Sequence, residues 1–171
     1  GKRFKEEVLE VTYKENSIHD VLEMSVDQAI EFFASESALA KALLPLQEVG
    51  LGYIKLGQSA NTLSGGEAQR VKLASFLGRS RATHKILFIF DEPTTGLHFH
   101  DIGKLLKSFH ALIEQGHSIV VIEHNMDVLR AADWIIDLGP EAGEGGGQLV
   151  FAGTPQELVK NKKSYTARYL S

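Results

Sequence analysis

The sequence has no cysteine, only 4 prolines and 2 methionines, and no long apolar run among its 171 residues. Without cysteine the chain forms no disulfide and no thiolate metal site, which is compatible with a reducing compartment. No stretch approaches the ~20 apolar residues of a membrane-spanning helix, and the charged segment Gly1 to Asn16 lacks the apolar centre of a signal peptide. We therefore expect a cytoplasmic protein without a membrane partner.

An excess of positive charge is also absent. The 18 Lys and Arg residues are outnumbered by 22 Asp and Glu residues, which gives a formal net charge of -4. Such a balance provides no overall attraction to a polyphosphate backbone, so composition alone does not suggest nucleic-acid binding. The 43% of hydrophobic residues suffices for one ordinary core. We expect one domain, or one domain with a small appendage.

An initiator methionine is missing as well. The chain begins at Gly1 and runs directly into a charged amphipathic segment, which predicts a piece of a longer protein. The pattern Gly-x-x-x-x-Gly-Lys-[Ser/Thr] of a phosphate loop also occurs nowhere in it.

The first third of the chain carries mainly helical signals. Val8 to Tyr13 alternates apolar and polar residues as a half-buried strand does, and Ser25 is the candidate N-cap of a helix to Phe33. Apolar residues recur at helical spacing from Ala38 to Val49, where Pro45 predicts two short helices or one helix with a break. Ser17 to Tyr53 is therefore predicted to be mainly helical.

The middle of the chain has the pattern of an α/β fold. A helix is predicted over Gly66 to Leu77, and the apolar run Ile86 to Phe90 is typical of a strand that is buried on both faces. A helix over Ile102 to Glu114 and a strand over Ser118 to Ile122 follow. Strand, helix and strand in this order predict a parallel βαβ unit.

The last part predicts a hairpin and a capped helix. Trp134 to Leu138 and Gln148 to Ala152 have the character of strands, and we interpret the glycine run Gly143 to Gly147 as the flexible turn between them. Thr154 is the candidate N-cap of a final helix, because proline follows it and Glu157 completes a capping box.

The first candidate site is the segment Leu63 to Arg70, with the sequence LSGGEAQR. Free N–H groups and the dipole of a helix N-terminus favour an anion, and glycines allow phosphate oxygens to approach the backbone. The candidate nucleotide-binding residues are Ser64, Gly65, Gly66 and Glu67. Taken alone, the segment is more typical of an ordinary helix cap.

Two further candidates follow the predicted strands. Asp91 and Glu92 come directly after Ile86 to Phe90, at the strand end where ligands of open α/β sheets bind. Asp91 is placed to hold Mg²⁺ and Glu92 to orient or deprotonate water. His124 follows the next strand, where an imidazole can bond a terminal phosphate or the attacking water. Each of these residues alone also fits a solvated turn or a cap.

The three candidates in this order resemble the ABC ATPase family. Leu63 to Arg70 resembles its signature sequence, Ile86 to Glu92 its Walker B strand, and His124 its switch histidine. His98 stands where transporter ATPases usually carry Asp, and UvrA proteins carry Thr-Gly-Leu-His there. The stretches that also resemble the C-terminal half of UvrA are Gly1 to Val11, Gly50 to Gln58, Ala132 to Pro140 and Gly153 to Pro155.

The resemblance implies a partial P-loop NTPase of ABC type, with a mainly parallel sheet and flanking helices. It divides the chain into a mainly helical region, 1–62, and an ABC ATPase core with the signature, Walker B, switch histidine, hairpin and last helix, 63–171. It implies that the phosphate loop and the Q-loop lie upstream of Gly1. The Q-loop role is assigned to neither Gln47 nor Gln58.

The resemblance also implies a function: recognition of damaged DNA in bacterial nucleotide excision repair, as part of an SOS-regulated excinuclease. ATP and Mg²⁺ are the implied cofactors, with Asp91 for the metal and Glu92 and His124 as catalytic residues. Zinc is expected only in a module upstream of Gly1. The implied partners are damaged duplex DNA, a UvrB-type protein and a second copy of the parent. The chain alone is predicted to be inactive as an ATPase.

Two alternatives remain open at this point, a transporter ATPase subunit and a non-catalytic interaction or DNA-binding module. A metal site at His98 and His100 is disfavoured because no acids or cysteines lie at ligand spacing. The basic cluster of Lys72, Arg79, Arg81 and Lys85 is interpreted as a solvated face rather than a DNA contact, because the net charge is acidic.

Overall fold

A computed structural model describes residues 4–78, 84–139 and 146–170 of the chain. Contacts divide the protein into two compact units, 1–121 and 122–171. The helices are α1 (Glu6–Leu9), α2 (Ile18–Glu23), α3 (Val26–Phe32), α4 (Ser37–Glu48), α5 (Gly65–Leu77), α6 (Phe99–Glu114), α7 (Met126–Ala131), α8 (Pro155–Leu158) and α9 (Ala167–Leu170), with a 3-10 turn at Ala60–Thr62. The strands are β1 (Thr12–Tyr13), β2 (Asn16–Ser17), β3 (Leu87–Asp91), β4 (Ser118–Ile122), β5 (Ile135–Gly139) and β6 (Gln148–Gly153).

The predicted strand over Val8 to Tyr13 is wrong. Its first two residues belong to α1, whose first turn carries two glutamates that favour a helix N-terminus. Only β1 is extended, and it pairs antiparallel with β2 in the register Thr12 to Ser17. Lys14 and Glu15 between them have φ values of 46° and 64°. Two consecutive positive φ angles make a tight hairpin turn, which limits the extended segment to two residues.

Helix signals in the first unit are confirmed except at the proline. Ser25 caps α3 by accepting a hydrogen bond from the backbone N–H of Gln28, and the Gln28 side chain completes a capping box. The expected break at Pro45 is wrong, because α4 continues from Ser37 to Glu48 as one helix. Pro45 lies in the last turn of α4, and its carbonyl accepts from Val49 at 3.3 Å. The missing N–H of Pro45 removes one i→i−4 hydrogen bond, and only three residues of α4 follow it, so the helix ends soon after the proline instead of breaking at it.

The core of the first unit lies between α4, α5, α6 and the buried face of β3. Phe88 and Phe90 point into it, where they meet side chains of the two longest helices. The other face of β3 is open among the described residues, because Leu87 is 59% and Ile89 is 65% exposed. The prediction that this strand is buried on both faces is therefore wrong for the part of the chain described here. The members of the core are Val49, Leu51, Ile54, Leu73, Ala74, Phe88, Phe90, Leu105, Phe109 and Leu112.

The α/β class is confirmed, in the form of small sheets. Within the described residues the strands form three two-stranded sheets, β1–β2, β3–β4 and β5–β6. β3 and β4 are joined through α6, as the predicted strand–helix–strand order requires. The N–H of Ser118 at the start of β4 bonds the carbonyl of Ile86 at 3.0 Å. None of the helices described has both the length and the apolar character to cross a membrane.

The second unit is built on the predicted hairpin. β5 and β6 pair antiparallel from Ile135 with Gly153 to Gly139 with Gln148, with a bulge between Asp137 and Leu138. Part of the glycine run, Gly143 to Gly145, lies outside the described residues. Behind the hairpin a second core contains Ile135, Leu158, Ala167 and Leu170.

Polar contacts fasten the C-terminal segment to the same hairpin. The Asp137 carboxylate accepts from the hydroxyls of Ser164, at 2.5 Å, and Thr166, at 3.0 Å. The predicted Thr154 capping box is present at α8, with proline in the first turn. The C-terminal residues of the second unit are therefore held by both hydrogen bonds and apolar packing.

Candidate functional site

The signature segment begins with a reciprocal helix cap. The Ser64 hydroxyl accepts from the backbone N–H of Glu67 at 3.3 Å, and the Glu67 carboxylate accepts from the backbone N–H of Ser64 at 2.7 Å. Ser64 and Gly65 are exposed at this end of a 13-residue helix. The exposed first turn thus presents backbone N–H groups of the kind that bind anions.

Tyr53 reaches this cap from the loop before it. Its hydroxyl donates to the second carboxylate oxygen of Glu67 at 2.5 Å. This hydrogen bond, together with the one from the Ser64 backbone, lowers the pKa of Glu67 below its usual 4.5. Partial burial, with the adjacent carboxylate, raises the pKa of Tyr53 above 10.0. Both shifts favour an ionised Glu67 beside a protonated Tyr53 at neutral pH.

The second turn of α5 contacts the end of β3. The Gln69 amide nitrogen donates to the Asp91 carbonyl at 3.0 Å, and the Gln69 amide oxygen accepts from the Asp91 backbone N–H at 3.2 Å. Gln69 therefore pairs with both backbone groups of Asp91, as a neighbouring strand would. The predicted signature and the predicted Walker B strand are joined directly in the first unit.

Arg70 fastens the turn that follows β3. Its side chain is 0% exposed, and Nη1 donates to the carbonyl oxygens of Pro93 at 2.7 Å and Thr95 at 3.2 Å. A Cβ added at Gly66 would lie only 3.0 Å from the same Thr95 carbonyl oxygen. The start of α5 and the turn 92–95 are therefore in close backbone contact, which glycine at position 66 permits.

Glu92 adopts an unusual backbone conformation between these contacts. Its φ is +46°, in the left-handed region that a residue with a Cβ seldom occupies. Such a conformation costs about 1–3 kcal/mol and persists only where the surrounding structure enforces it. The contacts of Gln69 with Asp91 and of Arg70 with Pro93 and Thr95 flank it on both sides.

The carboxylates of Asp91 and Glu92 suit the predicted chemistry in donor type. Both residues are exposed at the end of β3, and carboxylate oxygens are ligands that Mg²⁺ prefers. Mg²⁺ binds commonly through one or two carboxylates plus substrate phosphates, so a full protein cage is not required. The residues present therefore fit a Mg²⁺–nucleotide complex, although within the described residues no three His, Cys, Asp or Glu side chains cluster as a metal site.

His124 belongs to the second unit. It follows β4 and is exposed, and its backbone N–H donates to the carboxylate of Glu123 at 3.0 Å. The same Glu123 oxygen accepts from the Asn125 N–H, and the Asn125 side chain caps α7. The local backbone at His124 is thus well held, and its role toward the nucleotide stays a prediction.

The disfavoured candidates lie on the surface. The His98 and His100 rings stack at 5.4 Å between centroids, and both residues are exposed. Of the basic cluster, Lys72 and Lys85 are exposed, and Arg79 and Arg81 lie outside the described residues.

Known proteins resemble this chain along almost its whole length. UvrABC system protein A of Agrobacterium fabrum is 60% identical over 170 residues, which is 99% of this chain. The corresponding protein of Aquifex aeolicus is 56% identical over the same 99%. UvrA2 from Deinococcus radiodurans has a crystal structure that matches 99% of this chain with a TM-score of 0.83 and 49% identity. The chain belongs to the UvrA family.

The chain covers a small part of these UvrA proteins. It spans 17% of the Agrobacterium fabrum protein, 18% of the Aquifex aeolicus protein and 21% of the Deinococcus radiodurans UvrA2 chain. No protein-family model matches it. A bacterial Atm1-family ABC exporter with ATP bound covers 86% of the chain at a TM-score of 0.51 and 19% identity, which is a likeness of fold. Family membership in UvrA, and not in the transporters, is therefore the assignment.

Sequence reasoning missed three residues that build this site. Gln69 and Arg70 stand inside the LSGGEAQR motif but had no predicted role, and Tyr53 was noted only as part of a UvrA-like stretch. The sequence offered one signal for such a role, a charged residue, Arg70, close to the apolar Leu73 and Ala74 of a predicted helix. The burial of Arg70 depends on its contact with the turn after β3, and sequence spacing alone does not predict that contact.

Proposed function

We propose that a full-length UvrA-family protein carrying this sequence is an ATPase of ABC type that recognises damaged DNA in nucleotide excision repair. The observation that supports the proposal most is the joining of the signature helix to the acid-ended strand, through Gln69 and Arg70, in a chain 60% identical to UvrABC system protein A. Such contacts couple a phosphate-facing helix end to a carboxylate pair.

Each candidate residue has a proposed role. Glu92 orients or deprotonates the attacking water, and Asp91 would hold Mg²⁺. Bound Mg²⁺–ATP supplies the transferable phosphoryl group and the cation that balances its charge. His124 would bond the terminal phosphate, and Ser64, Gly65 and Gly66 would present hydroxyl and N–H groups to phosphate oxygens, with Glu67 shaping that turn.

These residues are proposed to serve two different nucleotides. In ABC proteins the signature caps a nucleotide that the opposite ATPase half holds, whereas Walker B and the switch histidine serve the nucleotide of their own half. On this basis Ser64 and Gly66 belong to one ATP site, and Asp91, Glu92 and His124 to the other. We further propose that residues 63–171 are the ATPase core and 1–62 the helical region that leads into the signature.

The finer assignments follow from the family. We propose damaged duplex DNA, a UvrB-type protein and a second copy of the full-length protein as partners, and action in the cytoplasm under SOS control. Zinc is proposed to bind outside this chain, since the chain has no cysteine. Phosphate-loop residues are proposed to come from elsewhere in the full-length protein, so the chain alone should not hydrolyse ATP.

The test uses Glu92→Gln and Ser64→Ala in the full-length protein, with Glu114→Gln at the exposed end of α6 as the control. Glu92→Gln should lower turnover by about 10²-fold or more while ATP stays bound, because shape remains and the base is lost. Ser64→Ala should weaken nucleotide binding by about 1.5–3 kcal/mol at the other site. Site-resolved nucleotide occupancy under turnover is the measurement. If both substitutions perturb one site, the two-site assignment is wrong.

A further inference from the structure

The end of β3 owes its conformation to side chains of the signature helix. Gln69 bonds both backbone groups of Asp91, at 3.0 and 3.2 Å, on the N-terminal side of Glu92. Arg70 bonds the carbonyls of Pro93 and Thr95 on its C-terminal side. Outside the β1–β2 turn, Glu92 is the one described non-glycine residue with a positive φ. It therefore lies between two sets of hydrogen bonds that adjacent residues of α5 make.

The two side chains that make these hydrogen bonds, Gln69 and Arg70, differ in burial. Arg70 is fully buried, so its loss would disturb the fold as well as the turn. Gln69 is only partly buried, and both hydrogen bonds that its side chain makes go to one residue, Asp91. A change at Gln69 therefore acts mainly on the Asp91 backbone and, through it, on the directions of the Asp91 and Glu92 carboxylates.

We propose that Gln69 is a positioning residue, which holds the Asp91 backbone and thereby aims the carboxylates of Asp91 and Glu92, with Arg70 fixing the turn beyond them. The inference rests on the proposed ATPase function, since it assigns Gln69 a part in that same site. It also makes α5 a rigid link between the two proposed ATP sites. Gln69 and Arg70, which contact the end of β3, lie one turn beyond Ser64 and Gly66 on this helix. A shift of the helix start is then transmitted to the Asp91–Glu92 backbone.

The experiment compares Gln69→Met, Glu92→Gln and the wild type in the full-length protein. Methionine keeps the length of glutamine but offers no amide, so it removes both contacts with Asp91 and leaves the volume nearly unchanged. Gln115→Met is the matched control, because Gln115 is an exposed glutamine at the end of α6 in the same unit. The readouts are hydrogen exchange of peptides covering 87–95, kcat, the KM for ATP and the Mg²⁺ concentration at half-maximal rate.

Gln69→Met should speed exchange at 87–95, because the Asp91 N–H loses its acceptor. It should lower kcat or raise the half-saturating Mg²⁺ concentration by about tenfold or more, as loss of an outer-shell partner does, with the KM for ATP little changed. The Mg²⁺ concentration at half-maximal rate does not depend on the amount of folded protein, so a reduced folding yield cannot imitate a shift in it. Peptides outside 87–95 should exchange as in the wild type, which separates a local change at this segment from unfolding of the whole protein. Gln115→Met should match the wild type in all four readouts.

Two results would overturn the inference, and they differ. If Gln69→Met leaves exchange, kcat and the Mg²⁺ dependence at wild-type values while Glu92→Gln abolishes turnover, Gln69 does not position the carboxylates and the proposed function stands. If Glu92→Gln hydrolyses ATP at the wild-type rate, the proposed site itself is wrong, and the role of Gln69 falls with it.

Discussion

The chain builds the same local cap at the starts of α5 and α8, and the two caps differ in what they are attached to. At both, a hydroxyl accepts from the backbone N–H three residues on, and a glutamate closes the box. At α8 the box is local, and the Thr154 backbone N–H is the main cause of the lowered pKa of Glu157. At α5 the main cause for Glu67 is the hydroxyl of Tyr53, from a distant loop.

The continuation of the two helices differs as well. α8 ends after 4 residues and buries Leu158 in the second core. α5 continues for 13 residues, and its second turn sends Gln69 and Arg70 to the backbone at the end of β3. A capping box alone is therefore no sign of a binding site. What sets α5 apart from α8 is that Gln69 and Arg70 join it to the backbone at the end of β3, next to the predicted carboxylates.

The largest expected effect in this comparison is at Arg70. Arg70→Met should lower the free energy of unfolding by about 3 kcal/mol, because it removes the charge-assisted hydrogen bonds that the buried Arg70 donates to the carbonyls of Pro93 and Thr95. Equilibrium urea unfolding of the chain measures it, with Lys72→Met, an exposed residue of the same helix, as the control. The control should stay within about 0.5 kcal/mol of wild type. Equal losses for the two variants would mean that Arg70 does not anchor the turn.

The two caps themselves should be equivalent. Ser64→Ala and Thr154→Ala should each lower the free energy of unfolding by about 1 kcal/mol, because each deletes the same hydroxyl acceptor at a helix start. Urea unfolding of both variants under one condition makes the comparison. A loss at Ser64 several times that at Thr154 would show that the Ser64 hydroxyl also supports the contacts with the end of β3.

A smaller effect on stability is expected at Tyr53. Tyr53→Phe removes the hydroxyl that donates to Glu67, and since the tyrosine is 53% exposed the loss should be about 0.5 kcal/mol. Tyr169→Phe is the matched control, because that side chain is 70% exposed. Both are measured by urea unfolding near neutral pH. A stabilised Tyr53→Phe variant would contradict a favourable Tyr53–Glu67 contact.

The smallest expected difference between the two caps is in how the free energy of unfolding changes as the pH falls. The folded pKa of Glu67 lies below 4.5, so its stabilising contribution is complete above that pH and is lost as the pH falls through the folded value. Tyr53→Phe removes the main cause of the shift, so this variant should lose less stability on acidification than the wild type. Thr154→Ala retains the backbone N–H that is the main cause at Glu157, so its acid dependence should change less.

Urea midpoints at neutral pH and at about pH 3, which lies below the usual pKa of a glutamate side chain, provide the measurement. If Tyr53→Phe and wild type lose the same stability on acidification, the Tyr53 hydroxyl does not set the pKa of Glu67.

Local chemistry in the sequence determined a large part of this protein. Ser25 and Thr154 were predictable as caps because a capping box needs only residues within one turn. The hairpin of β5 and β6 and the order β3, α6, β4 followed from short apolar runs and glycine signals. The motifs that indicated the UvrA family are also contiguous in the chain, which is why the family could be recognised without a structure.

Only the tertiary structure decided where these elements meet. Val8 to Tyr13, predicted as one strand from its alternation, contains the end of a helix and a strand of only two residues. Leu87 and Ile89 are exposed, because a strand's pattern does not specify what covers each face. The contacts of Gln69 and Arg70, and the left-handed φ of Glu92 between them, depend on residues more than 20 positions apart in the sequence. Side-chain bonds to distant backbone groups leave no period in the sequence, since they require a particular approach of two segments rather than a residue type.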